Sequence, residues 1–302
     1  MSAGAIRRRL VGVAKNGMPD HAAGDISSFW AQALGDFGDQ KPHGEQAGFN
    51  VWGLGIAFGA DMPAFDGSTI LGIGFSETWH SANLKVSAKS PVEFYNSQAN
   101  FYGRYSGDSL YIQAVGGAGY NSYNQERRVN VGSVSRLSIG KWKGYEYGGT
   151  IETGLAARFS AYEFTPFIRA SYLKNHENRY TEQSGGTGVN LTVAPRIADN
   201  ARASVGLTID RDFPIFYDSY VEAELRGNFT REFKNDPYAV VAQFAVGPTF
   251  VNMSTPRSPN RANIGIGFAH KDSYSSVSVD YDAEISKGYL AHKAAVTARF
   301  RF

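Results

Sequence analysis

Apolar and polar residues take turns along this chain, and the alternation returns throughout its length. In SSVSVDYDAEIS, Val277, Val279, Tyr281, Ala283 and Ile285 oppose Ser278, Asp280, Asp282 and Glu284. Side chains of an extended strand point to opposite faces with period two, so the segment has one apolar and one charged face. In YVEAELRGNFTREF, Val221, Ala223, Leu225, Phe229 and Phe233 oppose Glu222, Glu224, Arg226, Asn228 and Glu232. FNVWGLGIAFGAD sets Trp52, Leu54, Ile56 and Phe58 against Gly53, Gly55, Ala57 and Gly59. The terminal AAVTARFRF sets Val296, Ala298, Phe300 and Phe302 against Thr297, Arg299 and Arg301. About twelve such segments are predicted, near 29–38, 48–61, 69–83, 92–106, 109–124, 137–160, 164–178, 200–212, 219–234, 261–270, 273–286 and 289–302. Around 137–160 and in the first segment, Tyr, Gly and Trp sit on both faces and the orientation is not legible.

The connectors decide what this meander becomes. PAFDG, SGD, AYEF, FPIFYDS and HKD are short, and polar stretches at 126–136, 179–198 and 235–260 are longer. The link at 287–288 breaks that rule. Short turns at one end and long loops at the other describe an all-β, 12-stranded antiparallel up-and-down barrel of the transmembrane type. Closure with an even strand number removes the unpaired edges that would recruit other chains. A soluble barrel or sandwich is the competing reading. Against it stand the size of the meander and the recurrence of carboxylates on the polar faces.

Composition is consistent with this reading. The 302 residues include 34 Gly, 17 Tyr and 20 Phe, the types that strands and close backbone contacts use. No apolar run is long enough for a membrane helix. Mean hydropathy is −0.31, which a barrel also gives, because lipid-facing and lumenal residues average out. Net charge is only +2, so bulk charge gives no reason to expect a nucleic-acid partner. There is no Cys, hence no disulfide or thiolate chemistry.

Residues 1–27 do not alternate. AIRRRLVGVAK predicts a short helix that ends before Pro19, and the basic start lacks the apolar stretch of a secretory signal peptide. The domain reading is therefore 1–27, a linker with a lumenal helix, followed by 28–302, the barrel. A twelve-stranded barrel lies between filled and open types, with a bore near the width of one helix. Arg7, Arg8 and Arg9 would then meet inward carboxylates, for which Glu222, Glu224, Asp280, Asp282 and Glu284 are the candidates.

Other motifs carry less. Gly107-Asp108-Ser109-Leu110 spells the signature block of one esterase family, but no Asp stands three residues before His176, His270 or His292 to complete that family's downstream Asp-x-x-His block, so a turn is expected. The histidines show no metal-ligand spacing, and Asp280-x-Asp282-x-Glu284 lacks the glycine and spacing of a calcium loop. The glycines of GLGIAFG and NIGIGF lie in strand-like runs and are expected to serve barrel packing. No catalytic residue, metal or cofactor is expected.

SFWAQALGDFGDQ followed by GFNVWGLGIAFGADMP resembles the opening of an autotransporter (type V secretion) translocator β-domain. RRRL ahead of it, VSVDYDAEIS near the end and the terminal ARFRF fit the same family, in order, from about residue 5 to 302. The resemblance implies a barrel in the bacterial outer membrane, threaded by an N-terminal helix, that anchors and exports an upstream passenger. It implies outer-membrane lipid, the barrel-assembly machinery and the chain's own passenger as partners. Phe300 and Phe302 would form the assembly signal. Some relatives of this type cleave the linker, and Asn16 is a candidate by that likeness alone. Neither a signal peptide nor a passenger is present, so the chain reads as the β-domain part of something longer. A small porin-like solute channel and an outer-membrane hydrolase are the alternatives. An obstructing N-terminal helix would separate translocator from channel, and a convergent Ser, His and acid set would mark a hydrolase.

Overall fold

The computed structural model describes residues 27–42, 47–65, 67–85, 90–216, 218–234, 239–254 and 258–302. The expected lumenal helix, with Arg7, Arg8, Arg9 and Asn16, lies outside the described residues. The strands run in chain order as β1 (Ser28–Gln40), β2 (Phe49–Ala64), β3 (Thr69–Leu84), β4 (Val92–Ser106), β5 (Leu110–Val131) and β6 (Val134–Leu155). There follow β7 (Ala157–Phe159), β8 (Tyr162–Glu177), β9 (Tyr180–Thr181), β10 (Leu191–Val193), β11 (Arg196–Phe216) and β12 (Ser219–Lys234). The last are β13 (Ala239–Phe244), β14 (Phe250–Met253), β15 (Asn260–Lys271), β16 (Ser275–Ser286) and β17 (Tyr289–Arg301).

Twelve long strands, β1 to β6, β8, β11, β12 and β15 to β17, pair antiparallel with their neighbours and close into a ring. Two pairings complete it: β17 with β1, through Phe300↔Phe29 to Tyr289↔Gln40, and β8 with β11. β7 adds a short piece on β8, and β9, β10, β13 and β14 form a separate four-stranded sheet. Ladder hydrogen bonds satisfy the backbone around the ring, which is what allows strands to cross hydrocarbon.

The alternation falls as the sequence predicts. Leu54, Ile56, Phe58, Leu225, Ile264, Ile266, Phe268, Val277 and Val279 are exposed on the outer face. Gly53, Ala57, Glu222, Arg226 and Ala269 are buried on the inner one. Rings collect near both ends of the apolar band. Phe29, Phe65, Phe216, Tyr274 and Phe300 are exposed at the short-turn end, and Trp52, Tyr95, Tyr120, Tyr145 and Tyr172 toward the other. Two aromatic girdles flanking an apolar band are the outer surface of a bilayer-spanning barrel.

Three details differ from the sequence reading. The stretch 126–136 is not a loop: β5 and β6 stay paired to Val131↔Val134 and turn through Gly132 and Ser133. Gly132 takes φ +58°, which glycine adopts without strain. In β1 and β6 the alternation is regular after all. Trp30 and Trp142 point inward, while Lys141 and Lys143 point outward beyond the tyrosines, so residue type hid the period there. The segment read at 137–160 is also two strands, β6 and the short β7.

Candidate functional site: the charged lumen

The inner wall is built from ion pairs set in rows by the strand register. Arg226 on β12 is the largest junction. Its guanidinium donates to Glu224, to Asp280 Oδ1 at 2.9 Å and to Asp282 Oδ1 at 3.1 Å. Asp280 and Asp282 stand on β16, two strands away, and the chain between them is β15. The inward residues of β15 there are Gly265 and Gly267. A Cβ on Gly267 would meet Asp280 Oδ1 at 2.8 Å and Arg226 Nη1 at 3.1 Å, and one on Gly265 would meet Arg226 Nε at 2.9 Å. Those glycines of NIGIGF leave the space through which the bridge passes.

Lys271 on β15 donates to Glu222 at 2.8 Å, and Asp210 on β11 brings a third carboxylate within 4.8 Å of Glu222 and Glu224. Five carboxylates therefore surround two cations along this arc. Glu284 does not belong to it. It bonds Arg261 at 2.9 Å, which also bonds Glu232 at 2.7 Å, in a separate group.

Next round the ring, on β5, β6 and β8, Tyr111 and Gln113 donate to Glu152 Oε1 at 2.9 and 2.6 Å, and Arg169 donates to Oε2. Arg104 donates to Gln113 at 2.9 Å and stacks 3.9 Å over Tyr111. Trp30 is 1% exposed and donates to the Tyr102 hydroxyl at 2.7 Å. That hydroxyl donates to Asp61 at 2.9 Å, and Arg299 lies 3.9 Å from the same carboxylate. A cavity of about 80 Å³ remains between these walls, with Glu152, Thr208, Glu222, Arg226 and Asp280 in its lining.

The five acids singled out from the sequence all face inward, but they divide between two groups. Asp210, Glu152, Asp61, Arg226 and Lys271 were missed as site members. Parity along RASVGLTIDRDF places Asp210 with the inward set, so that signal was present. At the terminus, Phe300 is outward and Phe302 donates its amide to Ser27 O at 3.0 Å, while Arg299 is buried and Arg301 bonds Asp272 O at 3.0 Å. The Gly107 block is a turn, with the Gly107 amide bonded to Leu110 O at 2.8 Å. This lining is a polar, hydrogen-bonded wall in which Glu152, Glu222, Glu224, Asp280, Asp282 and Glu284 each stand beside a donor.

The family model described as Autotransporter beta-domain matches residues 29–284. An extracellular serine protease of Serratia marcescens is 24% identical over 191 residues, 63% of this chain. The chain spans only 18% of that relative's length. Among solved structures, the translocator domain of autotransporter NalP from Neisseria meningitidis has a TM-score of 0.75 at 15% identity, covering 100% of this chain and 96% of that one. The β-domain of the Bordetella autotransporter BrkA gives 0.66 at 13%, covering 91% and 99%. The transport unit of AIDA-I from Escherichia coli gives 0.63 at 13%, covering 99% and 98%. At these identities the structures speak for the fold, and the match over most of the chain speaks for kinship. With an apolar outer band, a charged lumen and that match together, the chain belongs to the autotransporter β-domain family.

Proposed function

We infer that this chain is an outer-membrane translocator, which anchors an upstream passenger and provides its route to the bacterial cell surface. The observation that carries the reading is a closed twelve-stranded wall, apolar outside and ion-paired inside, in a chain matching the β-domain family from residue 29 to 284. Such a wall can hold a polar polypeptide segment without presenting it to lipid. The mechanism needs no bond chemistry, and we assign the barrel no catalytic role.

Within that reading, residues 1–27 form the linker and 28–302 the barrel. Arg7, Arg8 and Arg9 add positive charge facing Glu222, Glu224, Asp280, Asp282 and Glu284, beside the bonds these acids already make; Glu222 and Glu224 lie with Asp210 within 4.8 Å of one another. Like charges so close favour a nearby cation strongly. Asp280 and Asp282 add to the same field. Phe300 and Phe302, at the end of the closing strand β17, are the signal for the barrel-assembly machinery, and Asn16 is a candidate linker cleavage point. The passenger is the chain's own upstream partner, and the barrel's solvent is outer-membrane lipid.

The test is an epitope tag fused ahead of residue 1 and expressed behind a secretory leader. Export predicts that the tag on intact cells is accessible to antibody and removed by added protease. A tag that stays protected in cells whose barrel is folded would overturn the translocator reading.

A further inference from the structure

On several strands the outward face carries a ring near the long-loop end, and the next outward residue reports what lies beyond. On β6 the residue after Tyr145 is Lys143, followed by Lys141. On β8 the residue after Tyr172 is Lys174. On β12 Arg231 follows Phe229, with exposed Phe233 one step further. Elsewhere the pattern differs: Asp39 follows Phe37 on β1, Asn50 follows Trp52 on β2, and Glu93 follows Tyr95 on β4, two strands from β6. The collar is therefore basic at β6, β8 and β12, with Asp199 of β11 inside that arc, and neutral or acidic at β1, β2 and β4.

None of Lys141, Lys143, Lys174 and Arg231 makes an ion pair among the described residues. Lys143 lies 5.8 Å over the Tyr120 ring, at the level of the girdle, and Arg231 reaches only Asn260 at 3.5 Å. Asp199, the acid nearest Lys174, is already held by Lys234 at 2.5 Å, and the burden of charge stays positive. Glu126, on the outward face of β5, and Glu93 of β4, in the row of Lys141 two strands away, are further acids in this region. All these cations stand at the long-loop end, which faces the cell exterior in barrels of this type.

We propose that this basic arc of β6, β8 and β12 binds the phosphorylated head groups of outer-leaflet glycolipid. Lysines one step beyond an aromatic girdle sit at head-group depth, where their stems lie along apolar surface and their charge meets phosphate. The tyrosines below fix that depth and stack against the acyl–sugar boundary. The site requires the outer-membrane location inferred above but not passenger export.

The experiment places the refolded full chain in phosphatidylcholine nanodiscs doped with either bisphosphorylated diglucosamine lipid or its dephosphorylated form, and counts retained glycolipid by native mass spectrometry. The phosphorylated lipid is retained preferentially, and Lys141→Gln, Lys143→Gln and Lys174→Gln each weaken retention about fivefold. Asp39→Asn, on β1 opposite β8 in the ring, leaves it unchanged. Heat-shifted mobility on gels checks that each variant is folded. If a variant fails to fold, added salt on the unmodified protein replaces it, and retention must fall as ionic strength rises. Equal retention of the two lipids, or no loss in folded lysine variants, overturns the proposal. Failure here with a normally inserted barrel leaves the translocator reading standing.

Discussion

At Arg226 one guanidinium holds Glu224, Asp280 and Asp282, and the backbone of β15 passes between the partners. Because Arg226 is only 8% exposed, removing its charge leaves three carboxylates facing one another with little water to screen them. Breaking a buried pair from one side costs about 3–5 kcal/mol. Arg226→Met is expected to lower the barrel's unfolding free energy by that order in a urea titration in detergent micelles. An unchanged midpoint would mean that water or another cation satisfies the acids. The inward orientation of these residues was legible in the sequence, because parity along YVEAELRGNF and SVDYDAEIS sets the face. Their partnership was not. It depends on the register of three strands and on the bare space over Gly265 and Gly267, and periodicity carries neither.

Among the elements, the β5–β6 hairpin shows most clearly where reading by residue type fails. Polar residues at 126–136 suggested a loop, yet the ladder continues through them, because above the membrane a strand has no reason to be apolar. The extended hairpin is tied to the segment between β8 and β11. Arg127 and Ser138 both donate to Glu182, Ile139 bridges Gln183, and Trp142 stacks on Tyr180 with ring centroids 4.3 Å apart. Burial pushes the Glu182 carboxyl up, but bonds from Arg127, the Leu191 amide and Ser138 outweigh it and hold the group below the usual carboxylate range. A lowered native value means that the tie contributes stability above the ordinary carboxylate pKa and loses it as pH falls through the lowered value. Amide exchange across 178–195 is therefore expected to be slow at neutral pH and to accelerate in acid below the usual range, once corrected for intrinsic rates. Glu182→Gln should show the faster exchange already at neutral pH. Protection that does not respond to either change would contradict the tie.

The whole molecule was the most legible level. Alternation gave the count of twelve long strands and the two faces, and connector lengths gave the meander. Closure through β17 and β1 follows from the apolar band, since an open edge in lipid would leave ladder groups unpaired. The small sheet of β9, β10, β13 and β14 was not foreseen, because strands of two to six residues show no period. If residues 1–27 occupy the lumen, deleting them is expected to raise single-channel conductance in planar bilayers severalfold. Arg7→Ala, Arg8→Ala and Arg9→Ala together should give an intermediate, flickering level, and conductance equal to the intact chain's would contradict the plug. The most direct test of the central claim, a closed membrane barrel, is gel mobility of the detergent-refolded chain with and without boiling. The account predicts a compact, fast-migrating band that shifts to the unfolded position only after heating. A chain that is soluble without detergent and migrates identically before and after boiling would contradict it.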